Sequence, residues 1–135
     1  IDEDYRDDFK KEIDYHNIVN YKGVINPTSS LKTISKYDVM LLPTRYPGEG
    51  FPGTILESYI SGVPVISTNW MHIPKFVEHS KTGFLFDLDK KNDFFNHVTF
   101  LLNNPQKLYE MKLSAFEKSK DFSHDKAWDI ISEYI

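Results

Sequence analysis

The sequence predicts an α/β fold, in which a parallel sheet is flanked by helices. Short apolar runs bounded by Gly, Pro or Asn alternate with longer amphipathic stretches, and the C-terminal third has only helical patterns. With 135 residues, 40% of them hydrophobic, the chain has the material for one core. We therefore predict a single domain over residues 1–135.

Four runs are typical of buried strands because they are short and rich in Val, Ile, Leu or Phe. They are NIVNYKG (17–23), DVMLLPT (38–44), PVIST (64–68) and GFLFD (83–87). Parallel neighbours need a crossover between them, and each intervening stretch is long enough for a helical one. These stretches are TSSLKTISKY, PGTILESYISG and HIPKFVEHS.

The C-terminal third predicts three helices in succession. Pro105 suits the first position of the second helix, and Ser123 is a predicted cap for the third. Asp87 and Asp89 form a D-x-D sequence, which superficially matches a metal-binding motif, but Asp89 is predicted to cap the first helix instead. The helical stretches are KKNDFFNHVTFLLNN, PQKLYEMKLSAFEKSKDF and SHDKAWDIISEYI.

Composition excludes several classes of function. The net charge is -4 with no basic block, so we expect neither a nucleic-acid partner nor a polybasic membrane patch. Without Cys there are no disulfides or thiolate ligands, and the five His lack metal-ligand spacing, so no metal site is predicted. No apolar run approaches the ~20 residues of a transmembrane helix, and a cytoplasmic location is predicted. Because the chain opens at Ile1 in a charged helical pattern, we expect it to be a piece of a longer protein.

Three glycines stand between a predicted strand and a predicted helix. Gly48, Gly50 and Gly53 have the spacing G-x-G-x-x-G, which in this position is typical of a phosphate-binding turn. A dinucleotide site also requires an acidic residue about 20 positions later. After Glu57 the next acid is Glu78, which lies beyond the following strand. The sequence therefore argues against NAD binding, and it contains no P-loop motif.

Two carboxylates flank this glycine-containing loop. Glu49 and Glu57 have seven residues between them, and Pro52 fits the first helical turn. Such a start leaves the amides of residues 53–55 free to point at an anion, which the helix dipole also favours. Carboxylates on both sides of a phosphate can accept hydrogen bonds from hydroxyl groups. The pattern therefore predicts a sugar-phosphate ligand.

The segment EGFPGTILE, followed by SYISGVPVIST, resembles the E-x7-E segment of the retaining glycosyltransferases of family 4. Upstream, NYKGVI and KYDVMLLPT resemble two strands of that family. Downstream, IPKFVEHSKTGFLF resembles its I-x-E-(I/V)-(V/I)-x-x-x-x-x-G-(L/F)-L motif, so the likeness covers about residues 17–104. Members have two Rossmann-like domains, the GT-B fold. The resemblance implies that this chain is part of the C-terminal domain, which binds the nucleotide-sugar donor.

The same resemblance implies roles for individual residues. Glu49 would hydrogen-bond the donor sugar and is the catalytic candidate, while Glu57 would hold the ribose hydroxyls. Gly23 and Val24 would lie against the base. The sugar and phosphates would be held by the intervening loop and helix start, namely Gly50, Phe51, Pro52, Gly53, Thr54 and Ile55. The resemblance implies no cofactor, since the nucleoside diphosphate sugar is a substrate. The acceptor would be a glycan or lipid, with peripheral association at the inner face of the membrane for the whole protein.

Some features depart from the family or stay open. Lys75 and Ser58 stand where the family has Glu and Ala, and its phosphate-binding Arg and Lys have no counterpart before residue 17. We therefore expect the isolated chain to be inactive. Trp70 is predicted to fill the core, with the edge of a sugar pocket as the alternative. For the whole chain, the alternative function is a non-catalytic nucleotide-binding or regulatory α/β domain.

Overall fold

The computed structural model of the chain describes residues 7–12 and 19–133, without the side chains of Lys91 and Ile130. Its helices are α1 (7–12), α2 (Ser30–Ile34), α3 (Gly53–Ile60), α4 (Lys91–Asn103), α5 (Pro105–Ser119) and α6 (His124–Ser132). Its strands are β1 (Met40–Leu42), β2 (Val65–Thr68) and β3 (Gly83–Phe86), and 3-10 turns occupy Pro27–Ser29, Ile73–Lys75 and Lys120–Phe122.

The three strands form one parallel sheet in the order β1-β2-β3. Met40 lies opposite Val65, which in turn lies opposite Gly83. A side chain at Gly83 would overlap the backbone carbonyl of Val65, so only glycine allows β3 to approach β2 this closely. Each strand falls within a run that the sequence predicts, and the parallel α/β class is confirmed.

Helices cover both faces of the sheet, because successive side chains of a strand point to opposite sides. Val65 packs on one side with residues of α3 and α5, and its neighbour Ile66 packs on the other side with residues of β3, α4 and α5. The first cluster is Ile55, Tyr59, Val65, Ile73, Val77 and Ala115, and the second is Ile66, Phe84, Phe86, Leu101 and Met111.

The strand predicted over 17–23 is not observed. Residues 17 and 18 lie outside the described residues, and 19–26 have no regular structure. Gly23 adopts a left-handed φ of 73°, which an extended strand does not allow, and Val24 is 96% exposed. Apolar residues made this run look like a buried strand, but it has no neighbouring strand among the described residues.

The helical crossover predicted for HIPKFVEHS is also wrong. Only Ile73–Lys75 forms a 3-10 turn. Met71 and Ser80, on either side of it, have left-handed φ values of 47° and 65°, which interrupt a helix. His79 already pairs with Gly83 in an isolated parallel bridge. The connection from β2 to β3 is therefore a compact loop.

In the C-terminal third, two of the three predicted helix starts are confirmed. Pro105 opens α5, and the Ser123 hydroxyl accepts a hydrogen bond from the backbone amide of Lys126. Asp89 does not cap α4, since the N-cap is Lys90 and makes no side-chain bond there. The carboxylate that acts at this turn is Asp87, which pairs with Lys90. None of the described helices has the length and apolar character needed to cross a membrane.

Candidate functional site

The loop from β1 to α3 carries Glu49 in a fixed position. The Thr44 hydroxyl donates a hydrogen bond to Glu49 Oε2 over 2.7 Å, and it accepts one from the backbone amide of Tyr46 at 3.1 Å. The hydroxyl thus uses its proton on the carboxylate and a lone pair on the loop backbone. Glu49 is half-buried, so its other oxygen remains available to a ligand.

Strand β2 fixes the start of the loop between β1 and α3 through two side-chain hydrogen bonds. Thr68 donates its hydroxyl proton to the Thr44 carbonyl oxygen at 2.6 Å, and Ser67 donates to the Leu42 carbonyl at 2.7 Å. Both hydroxyls lie at the carboxyl end of the central strand, where parallel α/β sheets bind their ligands. Thr44, and through it Glu49, is therefore tied to the most buried strand of the fold.

Helix α3 begins next to this loop with two free amides. Pro52 is the N-cap and is buried, so the helix starts at Gly53 rather than at the proline. The sequence predicted that the amide of Ile55 would also be free. This is wrong, because the amide donates a hydrogen bond to the Pro52 carbonyl at 2.9 Å. Within the described residues, the amides of Gly53 and Thr54 have no hydrogen-bond partner. An anion can therefore use two amides and the positive end of the helix.

Gly50 and Gly53 leave open space above these amides. A methyl group at either position would meet no other atom within 4 Å. Neither glycine has a left-handed φ, so the backbone conformation does not require glycine there. The absence of side chains instead allows another molecule to approach the backbone closely.

Glu57 lies one turn inside α3 and faces α2. Its Oε1 accepts a hydrogen bond from the Ser30 hydroxyl at 3.1 Å, and Glu57 is half-buried whereas Ser30 is 8% exposed. The same hydroxyl also lies 3.0 Å from the Pro27 carbonyl oxygen. Since a hydroxyl has one proton for two acceptors, Ser30 can orient Glu57 or release it. The two carboxylates are thus positioned by different parts of the fold, Glu49 by Thr44 in the loop after β1 and Glu57 by Ser30 in α2.

Gly23 and Val24 lie in the irregular segment that leads to α2. Asn26, just after them, accepts a hydrogen bond from the Thr28 amide at 3.0 Å and so fixes the turn that delivers Ser30 to Glu57. Val24 is 96% exposed and free to contact a ligand. These two residues are therefore connected by the chain to the Glu57 side of the loop.

Residues 2–104 match the family model described as glycosyl transferases group 1. The chain belongs to the group 1 glycosyltransferases. The narrower resemblance to family 4 stays a prediction.

Two relatives of this glycosyltransferase chain are longer proteins. An uncharacterized glycosyltransferase of Haemophilus influenzae is 26% identical over 125 residues, which are 92% of this chain and 33% of the relative. The O-antigen biosynthesis glycosyltransferase WclY of Escherichia coli is 34% identical over 92 residues, 64% of this chain and 25% of WclY. The chain thus spans a third or less of the length of these relatives.

The fold agrees with solved glycosyltransferase structures. The crystal structure of Anabaena Alr3699/HepE in complex with UDP-glucose matches with a TM-score of 0.84 and 21% identity, over 98% of this chain and 37% of that one. At this identity the match supports the fold alone. It confirms that the glycosyltransferase chain has the α/β architecture of the GT-B proteins.

The two substituted positions, Ser58 and Lys75, lie outside the loop that carries Glu49. The buried hydroxyl of Ser58 donates to the Val63 carbonyl at 2.8 Å and closes the end of α3, while Lys75 is exposed in a 3-10 turn. Among the described residues of the glycosyltransferase, no three His, Asp or Glu gather at one point as a metal site would require.

Two site residues, Thr44 and Ser30, were missed from the sequence, and they hold the two carboxylates. Phe51 was predicted to belong to the site, and its ring anchors the loop by packing 4.6 Å from Phe76 and 5.1 Å from Phe122 between ring centroids. Trp70 is not in the core, contrary to prediction. It is half-buried, and its indole N–H donates to the Tyr46 carbonyl at 3.1 Å. A hydroxyl after Pro43, at the end of a predicted strand, was the only available signal for Thr44.

Proposed function

We propose that this chain forms the nucleotide-sugar-binding part of a retaining glycosyltransferase, which transfers a hexose from a nucleoside diphosphate sugar to an acceptor. The observation that carries the proposal is the pair of fixed carboxylates on either side of an open helix start. UDP-glucose in the similar Anabaena structure supports this class of donor. The name of WclY supports a setting in polysaccharide biosynthesis.

The diphosphate would sit at the amino end of α3. The free amides of Gly53 and Thr54 can each donate one hydrogen bond, and the helix dipole adds a favourable ~0.3–1 kcal/mol per anion. Gly50 leaves room for this approach, while Phe51 and the buried Pro52 hold the loop in place. We expect no direct contribution from the Ile55 amide, because it is already bonded.

The two carboxylates would hold opposite ends of the donor. Glu57 faces α2 and the segment with Gly23 and Val24, so it would accept hydrogen bonds from the ribose hydroxyls, with the base near Val24. Glu49, on the β1 side, would accept bonds from the sugar hydroxyls. Fixing the sugar against the diphosphate aligns its anomeric carbon for attack.

Bond cleavage would place negative charge on the departing diphosphate. Prearranged amides stabilise such charge without reorganisation in the transition state. We therefore expect phosphate binding without a divalent cation. Glu49 is the catalytic candidate because it would contact the reacting sugar, and transfer with retention would bring the acceptor to the face from which the diphosphate leaves.

Calorimetric titration of the protein with UDP, UDP-glucose and GDP-mannose, with and without EDTA, tests the proposal. We expect at least one nucleotide sugar to bind and its affinity to survive the chelator. Binding that disappears completely with EDTA would refute metal independence, and failure of every nucleotide sugar would refute the donor site. The anomeric configuration of the product, determined by NMR, tests retention.

Measuring sugar transfer by the whole protein distinguishes a glycosyltransferase from a regulatory nucleotide-binding domain, because a regulatory domain binds the nucleotide without transferring a sugar. Residues 1–135 alone should bind the donor weakly and transfer no sugar. Excluding water from the donor site requires protein surface on the far side of the loop that carries Glu49. In this chain, Tyr46 and Gly50 of that loop are exposed. Transfer by the isolated chain at the rate of the whole protein would contradict this expectation.

A further inference from the structure

A pocket of about 430 Å³ opens where the three strands end. Each strand contributes to its wall with the residues at or just after its carboxyl end, so the pocket shares the sheet edge that carries the Glu49 loop. Its lining residues are Arg45, Thr68, Asn69, Trp70, Asp87, Leu88, Asp89 and Lys90. Thr68 and Trp70 support the loop that carries Glu49 by bonding its backbone carbonyls, but none of these side chains is assigned a contact with the donor.

Trp70 connects this pocket to Glu49. The carbonyl oxygen of Tyr46 accepts two hydrogen bonds, one from the Trp70 indole at 3.1 Å and one from the Glu49 amide at 3.1 Å. The preceding residue, Asn69, donates its amide to the Phe86 carbonyl at 2.8 Å, which holds the base of this segment on β3. The indole ring is thus fixed next to the end of the loop where the donor sugar is proposed to lie.

The same pocket also presents a carboxylate and a side-chain amide. Asp87 Oδ1 accepts from the Asn69 side-chain amide at 3.1 Å, and Oδ2 accepts from Lys90 Nζ at 3.0 Å. The hydrogen bond from Lys90, with a second from Asn69, lowers the pKa of Asp87, so this carboxylate is ionised at neutral pH. Each oxygen retains a lone pair that can accept a hydroxyl proton.

The charges in the pocket balance. Arg45 and Lys90 carry two positive charges, and Asp87 and Asp89 carry two negative ones. A phosphate group therefore gains no net attraction here. An uncharged ring with an apolar face and several hydroxyls matches a fixed indole beside hydrogen-bonding side chains.

We propose that this pocket binds a pyranose ring of the acceptor, so that the acceptor of the transfer is a saccharide. The C–H face of the ring lies against Trp70, and its hydroxyls donate to Asp87. The proposal that a saccharide binds here is argued from the pocket alone. The proposal that this saccharide is the acceptor of the transfer rests on the proposed function.

Indole NMR signals of the ¹⁵N-labelled whole protein test the proposal directly. The described chain contains Trp70 in the pocket and Trp128 on α6, where it is 58% exposed and serves as an internal control. The Trp70→Phe variant assigns the Trp70 signal. We expect saturable shifts of the Trp70 signal with one or more of methyl glucoside, methyl galactoside and methyl N-acetylglucosaminide, and none of the Trp128 signal.

Two substitutions distinguish recognition from folding. Asp87→Asn should weaken glycoside binding about tenfold, as expected for losing a hydrogen bond to a charged group. Asp125→Asn on the exposed helix α6 is the matched control and should leave binding unchanged. The proposal is wrong if no glycoside shifts the Trp70 signal, or if sodium pyrophosphate shifts it and the glycosides do not.

Donor titrations keep this inference separate from the proposed function. If UDP-glucose binds but no glycoside reaches Trp70, the acceptor inference fails and the donor site stands. If glycosides shift Trp70 but no nucleotide sugar binds, the donor site fails and the pocket remains a saccharide site. In the active protein, Asp87→Asn should raise the KM for a saccharide acceptor and leave the donor affinity unchanged.

Discussion

Replacing Thr44 by valine removes the hydroxyl that positions Glu49 and keeps the shape of the side chain. The bond to Glu49 is 2.7 Å long and charge-assisted, a type that contributes roughly 1.5–3 kcal/mol. Glu49 is only half-buried, so water replaces part of this bond and the lower end of the range applies. About 1.4 kcal/mol corresponds to a tenfold loss of affinity for the nucleotide sugar.

Calorimetry with UDP-glucose and with UDP measures this effect. Thr44→Val should weaken UDP-glucose binding and leave UDP binding unchanged, because Glu49 is assigned to the sugar. Thr33→Val on α2 is the matched control, since among the described residues its hydroxyl bonds only the Ser29 carbonyl of its own helix region, at 2.9 Å. The reasoning is refuted if Thr44→Val lowers the affinity for UDP as much as for UDP-glucose, or if both variants behave alike.

Four further substitutions test the site and the fold. Gly83→Ala should destabilise the protein by about 3 kcal/mol or more in urea unfolding, because its methyl group overlaps the central strand. Gly53→Ala meets no atom and should change stability by less than about 1 kcal/mol, yet it should weaken UDP binding by covering the free amides. Burial raises the pKa of Tyr59 from 10.0 to about 12. The folded state keeps this phenol neutral, whereas the unfolded chain releases its proton above pH 10. The free energy of unfolding of the unmodified protein should therefore fall by about 2 kcal/mol between pH 10 and 12, and that of Tyr59→Phe should not show this fall. Ser30→Ala should reduce the affinities for UDP and UDP-glucose equally, because Ser30 orients Glu57 and Glu57 is assigned to the ribose that both ligands contain. A loss confined to UDP-glucose would contradict the assignment of Glu57 to the ribose.

The strands that exist were predictable because their signals are local. Each of β1, β2 and β3 is a short apolar run bounded by Pro, Gly or a polar residue. The burial of β2 and β3 agrees with that pattern, whereas Leu41 of β1 is 48% exposed. The run 17–23 has the same composition, but a strand also needs a neighbour, and sequence alone does not reveal whether one is present. The turn chemistry of Met71 and Ser80, neither of them glycine, gave no warning that a helix would be interrupted.

For the site, spacing predicted the carboxylates and the helix start, while their partners depend on tertiary structure. Ser30 and Glu57 are 27 positions apart and meet only because α2 packs on α3. Trp70 looked like a core residue because tryptophan is large and apolar. Its indole N–H instead donates a hydrogen bond to the carbonyl of Tyr46, which lies 24 positions away in another loop, and the side chain is only half-buried.

The division of labour between the two carboxylates is the central claim, and one set of titrations tests it most directly. The affinities of Glu49→Gln and Glu57→Gln for UDP and for UDP-glucose are compared with those of the unmodified protein. Glu57→Gln should weaken both ligands by about tenfold or more, the effect of a lost charge-assisted hydrogen bond. Glu49→Gln should weaken UDP-glucose alone. Equal losses of UDP affinity in the two variants would contradict the assignment of Glu57 to the ribose and Glu49 to the sugar.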